Sequence, residues 1–272
     1  MAKTSDFLFS PSPRTRDTGQ PMKRCAADWH APYAPTEVEQ FDGTWRLTGC
    51  PTCLWEAVHN SPQDSQEHRD GMAEFQAAAL NRRLIGTGIT PRFRGCSFDT
   101  FAATTQAQEG ALAACREYAE GFEESVRTGR GLLLLGNVGT GKTHLACAIA
   151  QHVVREFEAW AVVTSAAEIC RTMKGSFGRG AAYSERDVLD ELGGPDLLVI
   201  DEVGVQSGSD FSPGVLSDVI DRRYQHLRPT VLVSNRKPLE LPQFIGDRAV
   251  DRLRQGGGRV VGFHWASARG EV

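Results

Sequence analysis

From about residue 104 onward, short apolar runs alternate with longer stretches in which apolar residues recur every three or four positions. Short runs bounded by turn residues are the pattern of buried strands, and the helical recurrence marks segments packed on one face. The pattern predicts strands at 131–135, 160–164, 196–200, 230–234 and 259–264. It predicts helices near 106–127, 142–157, 166–174, 183–192, 213–227 and 246–254. Alternation of this kind builds a parallel sheet covered on both faces. The fold class expected is therefore α/β, a three-layer core around a parallel sheet.

The first hundred residues read differently. Residues 1–20 hold Pro, Ser and Thr with Arg14 and Arg16 and are expected to be a flexible arm. Residues 21–62 carry Pro, Trp and Cys but few aliphatics, too little apolar surface for a core without a staple. From Ser65 to Leu84 the composition turns helical, and Gly86, Gly88 and Pro91 then break it. Residues 63–100 are thus read as a helical linker and 101–272 as the α/β domain, within the two-domain organisation that 272 residues suggest.

Composition narrows the function. Hydrophobic residues at 40% and charged residues at 24% are those of an ordinary soluble globular chain. The longest aliphatic runs, Leu132 to Leu135 and Leu197 to Ile200, fall far short of the roughly 20 apolar residues of a membrane span, so no membrane association is expected. The first twenty residues contain no apolar stretch of the secretory type, which points to the cytoplasm. A net charge of −4 confines any nucleic-acid contact to local patches. Seven cysteines without a secretory signal indicate metal ligands or buried thiols; Cys96, Cys115, Cys147 and Cys170 lie in apolar or helical surroundings and read as core.

The most specific motif is Gly136-Asn137-Val138-Gly139-Thr140-Gly141-Lys142-Thr143, a complete P-loop pattern between a predicted strand and a predicted helix. Its glycines let successive backbone N–H groups turn toward a phosphate, and the helix beginning near Lys142 adds the positive end of its dipole. Lys142 is expected to reach the β- and γ-phosphates of ATP, and Thr143 to offer its hydroxyl to Mg²⁺. Leu197 to Ile200 leads into Asp201 and Glu202, the pattern of a strand that ends in a magnesium-binding acid and a residue that activates water. Val231 to Ser234 leads in the same way into Asn235, at a strand tip whose place resembles the sensor 1 position of such ATPases, which implies an amide that positions that water.

With these residues the chain from about 86 to 269 resembles the DnaC/DnaI/IstB group of AAA+ ATPases, and within it the DnaC-type loaders of replicative helicases. The segments that carry the likeness are Gly88 to Arg94, Gly139 to Ala146, Asp196 to Gln206, Asp221-Arg222-Arg223 and Gly246 to Leu253. The resemblance implies an arginine offered to the nucleotide of a neighbouring subunit, with Arg252 the first choice and Arg248, one turn earlier, the second. It matches a second nucleotide-sensing arginine to Arg269. Seven residues follow Trp265, so the helical lid of many AAA+ modules is not expected, and turnover by the isolated chain should be slow. The resemblance also implies single-stranded DNA contacts at Met173 to Phe177 and Ser207 to Phe211, where Lys174, Phe177, Ser209 and Phe211 offer phosphate and base contacts.

In the amino-terminal segment, Cys50-Pro51-Thr52-Cys53 has the two-residue spacing that lets both thiolates reach one tetrahedral ion. Cys25 is a third candidate and His30 a fourth ligand for Zn²⁺, with Asp28 and His59 as alternatives for that last position. Related loaders carry a similar cysteine-rich segment and engage the helicase through their amino-terminal part. The function implied is an ATP-dependent loader that assembles as a spiral on a DnaB-type helicase and delivers it to single-stranded DNA. The alternatives are an IstB-like transposition helper and a nucleotide-switched adaptor without turnover.

Overall fold

In the computed structural model, which describes residues 8–178, 180–205 and 211–267, Ser12–Gly86 form one unit and the rest of the described chain belongs to another. The first unit contains β1 (Thr15–Asp17), β2 (Thr36–Glu39) and β3 (Trp45–Leu47), followed by α1 (Pro51–His59) and α2 (Gln66–Gly86). Its three strands are antiparallel in the order β1-β2-β3. Asn81 fastens α2 to the end of β2: its side chain accepts from the Phe41 N–H at 2.7 Å and donates to the Glu39 carbonyl at 2.9 Å.

The second unit runs through α3 (Gln106–Glu120), α4 (Phe122–Thr128), β4 (Leu132–Gly136), α5 (Lys142–Glu156), β5 (Ala161–Ser165), α6 (Ala166–Gly175) and α7 (Glu185–Gly193). It continues through β6 (Leu197–Val203), α8 (Phe211–Gln225), β7 (Thr230–Ser234), α9 (Pro242–Ile245), α10 (Asp247–Arg254) and β8 (Arg259–Phe263). The five strands are parallel in the order β5-β6-β7-β4-β8. The leucines of β4 have almost no solvent exposure, as a central strand covered on both faces requires. Cys96, Cys115, Cys147 and Cys170 are all buried, in keeping with their reading as core thiols.

Gly121 divides the stretch expected as one helix over 106–127 into α3 and α4. Arg223 is fully buried without a carboxylate partner among its hydrogen bonds. It donates instead to the carbonyls of Leu192, Pro195 and Pro229 and to the Thr230 hydroxyl, so this cation pins α7 and the loops around β6 and β7 together.

The domain boundaries differ from the sequence expectation. Within the arm expected over 1–20, Phe9 is buried in the core of the second unit and its N–H donates to Glu191 at 2.7 Å, while Thr15–Asp17 pairs with β2. The stretch expected as a linker over 63–100 divides: α2 belongs to the amino-terminal unit, and residues from Thr87 on belong to the second. The reason is hydrogen bonding and burial at a distance, as where the Val163 N–H donates to the Thr87 carbonyl at 2.7 Å. No helix among the described residues is long and apolar enough to cross a membrane.

Candidate nucleotide and metal sites

The P-loop leaves β4 at Gly136, whose φ is 142° and where a Cβ would lie 2.1 Å from the Phe263 carbonyl oxygen. It enters α5 through Gly141, with φ at 91° and the Phe101 ring so close that a Cβ would lie 2.5 Å from it. Only glycine satisfies both the left-handed backbone and the space at these two positions. Lys142, itself buried, turns its ammonium onto the loop, donating to the Gly136 carbonyl at 2.9 Å and also to the Asn137 carbonyl. That cradle of carbonyls holds the cation at the mouth of the loop, where a phosphate would compete for it.

Three strand tips meet the loop. The Thr143 hydroxyl donates to Asp201 Oδ2 at 2.8 Å, and the Glu202 N–H donates to Asp201 Oδ1 at 2.7 Å. Burial raises the pKa of Asp201; the Thr143 and Glu202 hydrogen bonds and the charge of Lys142 act against that rise. Glu202 adopts φ of 57°, an unusual backbone for a residue with a Cβ, which turns the chain at the end of the strand. A cavity of about 410 Å³ is lined by residues 138–143, Asp201, Glu202 and Asn235. Thr143 and Asp201 suit a divalent cation there, because they present hard oxygens at the edge of a phosphate cradle.

Several lining residues were not legible as site residues. Arg92, Phe93 and Thr100 wall the cavity from a segment that reads as linker, together with Phe101 at the start of the expected α/β domain. His144 holds that wall, its ring lying 2.8 Å from the Ser97 carbonyl and 3.2 Å from the Thr100 hydroxyl. Trp265 closes another side: its indole N–H donates to the Thr140 carbonyl at 3.1 Å, and its own carbonyl accepts from the Asn137 amide. Arg236 ties the loop carrying Asn235 to the strand end carrying Glu202, donating twice to the Gly204 carbonyl at 3.0 and 2.7 Å. Only the Gly88–Arg94 likeness hinted at the first of these; the others depend on contacts across the fold.

The candidate arginines lie elsewhere. Neither Arg248 nor Arg252 lines this cavity. Arg248 is exposed, whereas Arg252 pairs with Asp221 and lies over the Tyr224 ring at 5.2 Å. Lys174 and Phe177 are both exposed at the end of α6, Phe177 by 57%, so this ring is not a core side chain. Ser209 and Arg269 lie outside the described residues, as does the side chain of Phe211, which opens α8.

In the amino-terminal unit the ligand atoms of Cys25, His30, Cys50 and Cys53 all lie within 4.8 Å of one another. Paired backbone at Lys23 and Tyr33 closes the loop that carries Cys25 and His30, while Cys50 and Pro51 start α1 and Cys53 sits in its first turn. Cys25 Sγ is 2.9 Å from Cys53 Sγ, and His30 Nδ1 is 3.6 Å from Cys50 Sγ and 3.4 Å from Cys53 Sγ. The Cys53 contact draws the Cys25 thiol down to about 7 and pushes the Cys53 thiol up to about 12, the behaviour of two sulfurs sharing one proton. Three sulfurs and one imidazole nitrogen gathered within 4.8 Å of one another are the donor set of a tetrahedral zinc ion. His30 Nε2 lies 2.9 Å from Glu56, which orients the ring so that Nδ1 faces the sulfurs. Of the alternative fourth ligands, Asp28 is not in the cluster and His59 instead hydrogen-bonds the Trp55 carbonyl.

Residues 119–253 match the family of IstB-like ATP binding proteins. The replicative helicase loader DnaC of Escherichia coli strain K12 is 32% identical over 225 residues, 83% of this chain and 88% of that protein. The DnaC loader of Buchnera aphidicola subsp. Acyrthosiphon pisum is 31% identical over 210 residues, 77% of this chain and 84% of that protein. A crystal structure of the DnaC helicase loader shares the fold, with a TM-score of 0.57 at 21% identity over 64% of this chain and 99% of that one. The 225 residues aligned with the E. coli protein exceed the length of the ATP-binding unit, so the likeness extends into the amino-terminal unit. The chain belongs to the DnaC-like family of AAA+ replicative helicase loaders.

Proposed function

We propose that the chain is a cytoplasmic ATPase that loads a DnaB-type replicative helicase onto single-stranded DNA. The observation that carries this reading is the extent of the likeness to DnaC: a bare P-loop core would account for nucleotide binding, but the match continues into the unit that lies outside that core. ATP binds with its phosphates on residues 136–143, Mg²⁺ is held by Thr143 and Asp201, Glu202 activates water and Asn235 orients it. ATP-bound subunits assemble as a spiral, and Arg252, with Arg248 beside it, completes the site of the neighbouring subunit. Lys174 and Phe177, together with Ser209 and Phe211, meet the DNA strand; Arg269 senses the nucleotide. The amino-terminal unit, folded around Zn²⁺ on Cys25, His30, Cys50 and Cys53, grips the helicase. Turnover is slow until assembly brings these parts together.

The test is to mix the chain with its host's replicative helicase, with and without ATP, and measure the mass of the complex by size-exclusion chromatography with light scattering. A defined loader–helicase complex is expected; two separate species of unchanged mass would defeat the reading. The match of residues 119–253 to IstB-like proteins favours a second reading, a helper of transposition, in which a transposase replaces the helicase as the partner that co-elutes.

A further inference from the structure

The strand that ends in Asp201 and Glu202 leaves its register at that point. Ile200 pairs with Leu232 and Val203 with Ser234, so β6 carries one more residue than β7 between the two pairs. An extra residue of this kind is a β-bulge, which bends its strand and re-aims the side chain it carries. Asp201 keeps a partner on the other side, Ser165 of β5, whereas among the described residues Glu202 pairs with none on either neighbouring strand. The φ of 57° at Glu202 turns the chain out of the sheet. Its carbonyl then accepts from the Val205 N–H at 3.2 Å, closing a turn over Val203 and Gly204. Leaving the ladder removes the hydrogen bonds that fix a strand, so the position of Glu202 depends on what grips this turn.

The end of β7 and the loop after it supply the grip. The buried Ser234 hydroxyl donates to the Val203 carbonyl at 2.5 Å and accepts from the Arg236 N–H at 3.0 Å. The Arg236 side chain then reaches across: Nε and Nη2 donate to the one Gly204 carbonyl at 3.0 and 2.7 Å. The two residues meet so closely that a Cβ on Gly204 would lie 2.5 Å from the Arg236 side chain. The guanidinium in turn lies over the Phe244 ring of α9 at 4.9 Å, and Phe244 packs on the apolar core. Two N–H bonds from one planar fork fix an orientation that a single flexible donor does not. Arg236 itself does not line the nucleotide cavity.

We propose that Arg236 is a positioning residue for hydrolysis: held against Phe244, it grips the Gly204 carbonyl and thereby fixes where the Glu202 carboxylate stands. The inference rests on the reading of Glu202 as the residue that activates water. A misplacement of about 1 Å in such a group costs on the order of a hundred-fold in rate. A clamp two residues further along the chain therefore governs turnover without altering affinity.

The experiment measures ATP affinity, melting temperature and single-turnover hydrolysis on the full-length chain. Arg236→Ala is expected to slow hydrolysis about ten- to a hundred-fold, with affinity and melting temperature close to those of the wild type. Arg236→Gln should recover part of the rate without the charge, because its amide nitrogen stands as many bonds from the backbone as arginine Nε and can donate to Gly204 in its place. In a Glu202→Gln background Arg236→Ala should cost nothing further, since a clamp acting through Glu202 has nothing left to position. Equal slowing in both backgrounds would overturn the proposal, as would a rescue by Arg236→Lys that Arg236→Gln does not give. A wild-type rate in Arg236→Ala, with Glu202→Gln still slow, would overturn it and leave the role of Glu202 standing. A wild-type rate in Glu202→Gln would overturn both. Lost ATP affinity together with a lowered melting temperature in Arg236→Ala would make the arginine a structural residue and likewise end the proposal.

Discussion

Thr143 and Asp201, 58 residues apart in the chain, are joined by a 2.8 Å hydrogen bond from hydroxyl to carboxylate at the mouth of the nucleotide cavity. The two oxygens are thus paired by the fold itself. Holding Asp201 there has a stability consequence. Its pKa is raised by burial, so protonation favours the folded state: the contribution is full below the unfolded value of about 3.9 and is lost as pH rises through the folded value.

Asp201→Asn is therefore expected to raise the melting temperature of the ligand-free protein at neutral pH, with the gain shrinking as pH falls toward 4. The same variant should lower Mg²⁺-dependent ATP hydrolysis on the order of a hundred-fold or more, since a bound metal supplies several kcal/mol of charge stabilisation. Thermal melts across pH and a phosphate-release assay read the two effects. A variant that melts lower at pH 7 would show that the carboxylate stabilises the fold.

Lys142→Ala should abolish nucleotide binding, because among the described residues the ammonium that now rests on the Gly136 carbonyl is the only lysine lining the cavity. Glu202→Gln should keep the affinity and slow hydrolysis, since its carboxylate acts in the transition state. Binding of a fluorescent ATP analogue and single-turnover hydrolysis separate the two. Unchanged affinity in the lysine variant would remove the P-loop assignment.

Arg252→Ala should leave ATP binding to the isolated chain intact and depress turnover in the assembled state. Its contacts with Asp221 and Tyr224 keep it off its own nucleotide cavity, as the role proposed for it toward a neighbouring subunit requires. Mixed with Glu202→Gln protein, which lacks its own base but keeps the arginine, activity should partly return. If Arg248→Ala shows the defect and Arg252→Ala does not, the exposed arginine one turn earlier carries the role.

Zinc removal should unfold residues 12–86, because their sparse core leaves folding dependent on a metal whose binding supplies about 10–16 kcal/mol. Glu56→Gln should weaken zinc binding by about 10–100-fold by loosening the His30 ring it holds. Competition with a chromophoric chelator measures this directly. Metal analysis that finds no zinc in the purified wild type would count against the site.

Much of the nucleotide-binding unit was legible because local rules agree there. The buried runs at 132–135, 197–200 and 231–234 became strands, and the residues at their ends met around one cavity. Cys25 and His30, apart from Cys50 and Cys53 in the chain, also met as the ligand chemistry required. What could not be read depends on partners far away in sequence. Phe9 looks like part of a polar arm until the core that buries it exists. Arg236 and Trp265 serve the cavity only because β6, β7 and β8 converge.

The central claim is tested most directly by loading itself. The helicase is offered a closed circle of single-stranded DNA, with or without the full-length chain and ATP, and the helicase retained on the circle after a high-salt wash is quantified. The account predicts retention that requires both the chain and ATP and that falls with Lys142→Ala. Equal retention without the chain, or with the lysine variant, would contradict it.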